Sequence, residues 1–219
     1  MERVTEPELM DTAVDAAEYD AMDFVASDTK FALAALSWLE PGPRRALDVG
    51  TGTARIPVLM AERRSDLNIV ALDAAAHMLA LGAKHIERAG LEGRVELRLQ
   101  DGKALLLAGE RFDLVISNSV VHHIPEPVSL LREVARAVRP GGAVVVRDLV
   151  RPDSPEAAWD LVRRVSPHDS PRQQQLFFDS LCAALTLSEV RAALDEAGLG
   201  ALSLTMVSER HWSAEGRVR

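Results

Sequence analysis

The sequence predicts an α/β protein built on a doubly wound, mostly parallel sheet. Three observations carry that expectation. Five short apolar runs, at 45–49, 68–73, 94–100, 112–117 and 143–148, recur through the middle of the chain. Four of them are dominated by unbroken Val, Ile and Leu, the composition of strands covered on both faces. Helical patterns fall between the runs, and β–α–β repetition joins such strands by right-handed crossovers.

Residues 1–40 read as two helices. The first opens with a capping box, Thr5–Glu8, and the second presents Phe31, Ala35 and Trp38 on one side. "RALDV" is the first strand of the sheet, and a glycine loop leads from it into a helix. "NIVALD" is the second strand. Residues 75–89 then place Met78, Leu79, Gly82 and Ile86 along one side, with Gly90 as a stop. "RVELRLQ" alternates strictly, which puts the third strand near a sheet edge. The fourth, "FDLVIS", leads through "NSVVHHIPE" to a helix over 127–138, opened by Pro127 and carrying Leu131, Val134, Ala135 and Val138 on one face. "RPGG" (139–142) ends that helix and turns into the fifth strand, "AVVVRD".

Beyond it, Pro and Ser punctuate residues 151–171 around a short helix at about 155–165. Two further helical stretches follow, the second over 187–197 with the capping box Thr186–Glu189 and a stop at Gly198. The last nineteen residues, "ALSLTMVSERHWSAEGRVR", read as a hairpin turning at "SER". There is no repeat and no second core. One domain therefore spans 1–219, with N-terminal helices (1–40), a central core (41–148), a Pro- and Ser-punctuated helical insertion (149–185) and a final helix and hairpin (186–219).

Composition bounds the function. Of 219 residues, 47% are hydrophobic and only 4% aromatic, so aliphatic side chains fill the core. A balance of 25 basic against 33 acidic residues gives a net charge of −8, which opposes general binding to nucleic acid or anionic membranes. The single cysteine, Cys182, permits no internal disulfide and no cysteine cluster for metal; it reads as a small core residue. The acidic N-terminus lacks a secretory pattern and no apolar run approaches a membrane span, so the expectation is cytoplasmic.

The loop "LDVGTGTARIPV" (47–58) lies between a strand and a helix, where a cofactor loop belongs. Gly50 and Gly52 free the backbone for close approach by a ligand. A dinucleotide loop needs a third glycine at position 55, yet Arg55 stands there, with a side chain directed at the space where helix and strand pack. No G-K-[ST] follows, so a phosphate-cradling Walker loop is excluded. Asp73 ends the second strand, 23 residues after Gly50, where a carboxylate accepts hydrogen bonds from ribose hydroxyls; its alternative is a helix N-cap. "DG" at 101–102 ends the third strand and is otherwise a plain turn.

The pattern D-x-G-x-G-x-[G/A], with Asp48, Gly50, Gly52 and Ala54 in place, resembles motif I of class I S-adenosylmethionine-dependent methyltransferases. The stretch 112–148 is similar to the strand-four to strand-five region of the same family, nearest to its ubiquinone and menaquinone methyltransferase branch. The likeness runs over about 44–148. It implies a Rossmann-like seven-stranded sheet whose antiparallel C-terminal hairpin supplies strands six and seven, and S-adenosyl-L-methionine as cofactor. By position, Asp48, Gly50 and Gly52 would hold the methionine end, with Thr51 between them in the implied cofactor-binding set, Asp73 the ribose, and Asp101 and Gly102 the adenine. Residues 1–40 would form a helical N-terminal lid and 149–185 a substrate-side insertion. Asn118 and Ser119 would close the site beside the sulfonium, and Ala74 and Met78 complete the implied cofactor-binding set.

Methyl transfer is an in-line displacement at an activated carbon, so a base is helpful and not obligatory. His122 and His123 follow strand four and are candidates for taking a proton from a hydroxyl, amine or thiol; otherwise they pack under the loop and cap carbonyls. Arg147 and Asp148 end strand five and read first as a structural ion pair, then as an anchor for an anionic acceptor. Tyr19 is either part of a lid or core. His168, Arg172 and Gln173–Gln175 read as a solvated face. No metal is expected, because adjacent histidines point in different directions. The partner expected is a small-molecule methyl acceptor, with no nucleic acid, no membrane and room for a homodimer. The competing expectations are a non-catalytic cofactor-binding protein, transfer of a group other than methyl, and a nicotinamide-dependent oxidoreductase, which Arg55 disfavours. The acceptor itself is not specified by the sequence.

Overall fold

The computed structural model describes residues 1–6, 11–105 and 107–218. Its centre is one seven-stranded sheet in the order β3-β2-β1-β4-β5-β7-β6. Five strands run parallel: β1 (Arg44–Val49), β2 (Leu67–Asp73), β3 (Val95–Leu99), β4 (Phe112–Asn118) and β5 (Val138–Leu149). The terminal hairpin of β6 (Ser203–Met206) and β7 (His211–Arg217) joins antiparallel through β5 and β7. The expected doubly wound sheet is therefore present, and the alternating strand β3 does lie at an edge.

Strand periodicity divides the core between two faces. Leu47, Val49, Leu72 and Val115 point to one side, beneath Leu130, Leu131 and Val134 of α5 (Pro127–Ala137) and Val190 and Leu194 of α8 (Leu187–Glu196). Ala46, Ala71, Leu114 and Ile116 point to the other. They lie beneath Phe31 and Ala35 of α2 (Val25–Leu36), Met60 and Ala61 of α3 (Arg55–Arg63) and Ile86 of α4 (Ala76–Ala89). Behind β5, α6 (Pro155–Val165) and α7 (Pro171–Ala183) form a smaller cluster of Leu161, Val162 and Leu181, with Trp159 stacked on Phe178. Both faces of the inner parallel strands β1, β2, β4 and β5 are covered, so these four have no amphipathic alternation to show in sequence, unlike the edge strand β3.

The capping box Thr186–Glu189 forms as expected, with both halves of the reciprocal bonding present. Its N-terminal counterpart is not observed: Glu8 lies outside the described residues, residues 1–6 carry no helix, and α1 (Ala13–Asp20) is instead capped by Thr12, which accepts from the Asp15 N–H. The "RPGG" segment is also corrected. Helix α5 stops at Ala137, Val138 already pairs with Phe112, and β5 runs on through an irregularity in register. Gly141 and Gly142 exchange backbone hydrogen bonds with Val218, which keeps this stretch in the sheet rather than in a free turn. Among the described residues, no helix is long and apolar enough to cross a membrane.

Candidate active site

The strand order reverses between β1 and β4, and open α/β sheets bind ligands outside the carboxyl ends of the strands at that point. A pocket lies there. Its wall includes Gly50 and Gly52 after β1, Asp73 and Ala74 after β2, Asp101 and Gly102 after β3, and Asn118 and Ser119 after β4. Tyr19, Met78 and His123 also line it. Residues far apart in sequence are thus brought to one concavity because parallel strands all end on the same side.

The glycine loop is held from beneath by two backbone donors, Gly50 N and Thr51 N, which share the Leu72 carbonyl at 2.9 Å each. Gly50 adopts φ +76°, and a Cβ there would fall inside the Val120 side chain, so close packing of the strand-four loop demands glycine as much as any ligand does. Gly52 N donates to Asp73 Oδ2 at 2.7 Å, and Asp73 Oδ1 accepts from Ala75 N at 2.9 Å. Burial raises the Asp73 carboxyl above its usual range, against the backbone donors of Ala75, Gly52 and Ala74. The N-cap reading of Asp73 is not met, because Ala75 caps α4 without a side-chain bond; the carboxylate instead holds the backbone just ahead of the helix and presents remaining lone pairs to the pocket.

Asp48 and Thr51 are not among the lining residues, but they adjoin Val49, Gly50 and Gly52, which are. Asp48 is 2% exposed, and among the described residues Oδ2 of Asp48 and Oγ1 of Thr51 have no hydrogen-bond partner. Burial pushes the Asp48 carboxyl up to about 7, opposed by Thr51 and reinforced by the charges of Asp73 and Asp28. A buried carboxylate with an open oxygen is unstable unless a cation or a proton satisfies it. The ammonium of an amino-acid moiety at the loop meets that need, so the residues present fit S-adenosylmethionine. Asp101 is already engaged: its Oδ1 accepts from Lys103 N at 2.8 Å and its Oδ2 lies 3.1 Å from Lys103 Nζ.

Arg55 does not crowd the helix–strand contact as its position suggested. Its guanidinium turns outward to the N-terminal lid, with Nε 3.2 Å from Asp28 Oδ2 and the cation over the rings of Tyr19 (5.1 Å) and Phe24 (4.9 Å). Close packing is served instead by Gly82 of α4, where an added Cβ would lie 3.1 Å from that of Ala54. Ala54 caps α3 in a left-handed conformation, φ +57°.

The Arg147–Asp148 ion pair does not form. Consecutive strand residues face opposite sides of the sheet. Arg147 therefore lies over the Phe31 ring at 4.9 Å, with its Nε buried and unpartnered. Asp148, 1% exposed, accepts from His122 on the other side, with Oδ1 2.6 Å from the ring Nδ1 and Oδ2 3.2 Å from the backbone N. Burial alone would push His122 down and Asp148 up. Their mutual attraction prevails, leaving the imidazole above and the carboxyl below its ordinary value. His122 is thus buried behind the pocket while His123 faces it, because both sit in the single 3-10 turn Val121–His123.

Sequence reasoning missed Glu6, whose Oε2 lies 3.1 Å from His123 Nδ1, and Arg3, which ties the N-terminal segment to the same turn. No local pattern marks either residue. The apolar Val120, Ile124 and Leu130 of the pocket wall were equally silent, being indistinguishable from core in sequence. His168 and Arg172 lie on the surface, where Arg172 reaches Asp15 and Glu18 of α1 at 3.2 Å each.

Comparison with known proteins follows the same ground. Residues 43–196 match the model of a family described as a methyltransferase domain. The chain belongs to that methyltransferase family. It is 36% identical over 107 residues to a ubiquinone biosynthesis O-methyltransferase of Ruegeria pomeroyi, covering 49% of this chain and 42% of that protein. It is 34% identical over 127 residues to a demethylmenaquinone methyltransferase of Thermus thermophilus, covering 58% and 56%. The methyltransferase spans about half the length of the curated relatives it matches. Its fold is shared with a SAM-dependent methyltransferase from Aquifex aeolicus, at a TM-score of 0.66 and 16% identity over 95% of this chain and 99% of that one. The expected family and the seven-stranded architecture are both upheld.

Proposed function

We propose that this protein transfers a methyl group from S-adenosylmethionine to a small-molecule acceptor. The observation that carries the reading is Asp73, whose two carboxylate oxygens are fixed by Gly52 N and Ala75 N on the pocket wall. Each oxygen retains acceptor capacity, which suits the paired hydroxyls of a ribose. Asp48 with its open oxygen supports an ammonium beside the glycine loop and would repel a pyrophosphate there. Asp101 and Gly102 stand where an adenine edge would be read, and Asn118 and Ser119 at the reacting end.

The bound cofactor supplies a carbon already activated by its sulfonium. The protein's own task is alignment and exclusion of water. Tyr19 from the lid, Val120 and Ile124 from the strand-four loop, and His123 surround the remaining part of the pocket and would orient the acceptor. The net charge of −8 favours a small acceptor over nucleic acid and fits a cytoplasmic protein. The quinone-pathway names of its relatives point the same way. Calorimetric titration with S-adenosylhomocysteine and with NAD tests the cofactor: the first should bind and the second should not. NAD binding alone would overturn the proposal.

A further inference from the structure

Against the wall of the pocket, where His123 lines it, the strongest further cluster of chemistry-bearing groups is Glu6, His122 and His123. Each offers one donor atom, and the three lie within 4.8 Å of one another. Although adjacent histidines are expected to point apart, the 3-10 turn brings their rings side by side, tilted by 37° with centroids 4.1 Å apart.

Two details distinguish this cluster from an ordinary ion pair. First, His123 Nδ1 is buried and, among the described residues, has no aligned hydrogen-bond partner, although Glu6 Oε2 is 3.1 Å away. An imidazole nitrogen and a carboxylate oxygen that close, and off the hydrogen-bonding line, have the relation of two ligands of one ion. Tetrahedral ligands at bond lengths of roughly 2.0–2.2 Å are about 3.4 Å apart, so this pair, at 3.1 Å, needs to part only slightly to receive an ion. Second, His122 Nδ1 is held by buried Asp148 at 2.6 Å, and Asp148 is itself fixed by the His122 and Leu149 backbone N–H groups. That contact sets the ring and leaves Nε2 as its free donor, the carboxylate–histidine support that metal-ligating imidazoles commonly have.

We propose that Glu6, His122 and His123 form a site for a zinc-type divalent ion that fastens the N-terminal strap to the strand-four turn. Two imidazoles and one carboxylate suit a borderline first-row cation better than magnesium or calcium, which prefer all-oxygen sets. The strap is delivered independently of the ion. Arg3 donates to the carbonyls of His122, Ile124, Pro125 and Ala183 at 2.6–3.1 Å, and Val4 N donates to Cys182 O. Its positive charge sits near the ion, and the carboxylates of Glu6 and Asp148 offset both. The site shares His123 with the pocket wall, so metal binding, read without turnover, is what separates it from the methyl-transfer reading.

Cobalt is a suitable probe, since its visible absorption reports nitrogen and oxygen ligation without reference to turnover. Chelator-stripped protein titrated with Co²⁺ should show one equivalent bound, displaced by Zn²⁺ and not by Mg²⁺. Glu6→Gln and His123→Ala should each remove the band, and Asp148→Asn should weaken binding about 10–100-fold. His168→Ala, altering an exposed histidine, should leave it intact. Thermal melts of each variant separate loss of the ion from loss of the fold. Absence of a stoichiometric band, or a band unchanged in folded Glu6→Gln and His123→Ala, would overturn the proposal.

Discussion

Arg55 Nε lies 3.2 Å from the carboxylate of Asp28, so the first residue of α3 is tied to the lid helix α2. Asp28 is 7% exposed and its carboxyl is raised by burial, with Arg55 acting against that rise. Arg55→Met removes this partner and the cation over Tyr19 and Phe24 together. It should destabilise the protein by up to about 3 kcal/mol, since breaking a buried pair strands the remaining charge. Because Tyr19 lines the pocket, S-adenosylhomocysteine should also bind more weakly. Urea unfolding and calorimetry read the two effects; unchanged affinity would detach the lid from the site.

Asp73→Ala removes two charge-assisted backbone bonds and the proposed ribose contact. Hydrogen bonds to charged groups are worth roughly 1.5–3 kcal/mol each, so cofactor affinity should fall at least about tenfold. Titration with S-adenosylhomocysteine measures this, and wild-type affinity in the variant would place the nucleoside elsewhere.

Asp48 predicts a pH dependence whose sign follows from its raised carboxyl. Its folded value of about 7 exceeds the ordinary 3.8, so the ligand-free fold binds the proton more tightly than the unfolded chain. Stability from this group is complete below pH 3.8 and declines as pH rises toward 7, by an amount on the order of 4 kcal/mol. Asp48→Asn should flatten that slope. Cofactor binding near pH 6.5 should release a proton, because an ammonium favours the ionised form. Calorimetry in buffers of differing ionisation enthalpy detects the release.

Neighbours Arg147 and Asp148 should behave as strangers. Asp148→Asn should cost about 3 kcal/mol by stranding buried His122, whereas Arg147→Met should cost about 1 kcal/mol from its contact with Phe31. A double-mutant cycle should give a coupling near zero; a large coupling would restore the ion pair that their sequence adjacency suggested.

Much of this was legible in the chain. Apolar runs gave the strands, and the strict alternation of "RVELRLQ" marked the edge. The spacing of Asp48, Gly50, Gly52 and Asp73 marked the pocket, because ligand loops sit at strand ends and strand ends are visible as breaks in hydrophobicity. Less legible were boundaries shaped by pairing across the sheet. Val138 looks helical by periodicity, yet Phe112 and the bonds from Gly141 and Gly142 to Val218 draw it into β5.

By itself the sequence determined the sheet, the glycine loop and the carboxylates that end successive strands, since these depend on local pattern and on which residue types tolerate a tight turn. Only the tertiary structure decided which charges meet. It turned Arg55 toward Asp28 and sent Arg147 and Asp148 to opposite faces. It also carried Glu6 to His123, 117 positions away in the chain. The reason is physical: strand periodicity and backbone bonding act between neighbours, whereas a side chain's partner is chosen by the packing of distant segments and the cost of burying a charge alone.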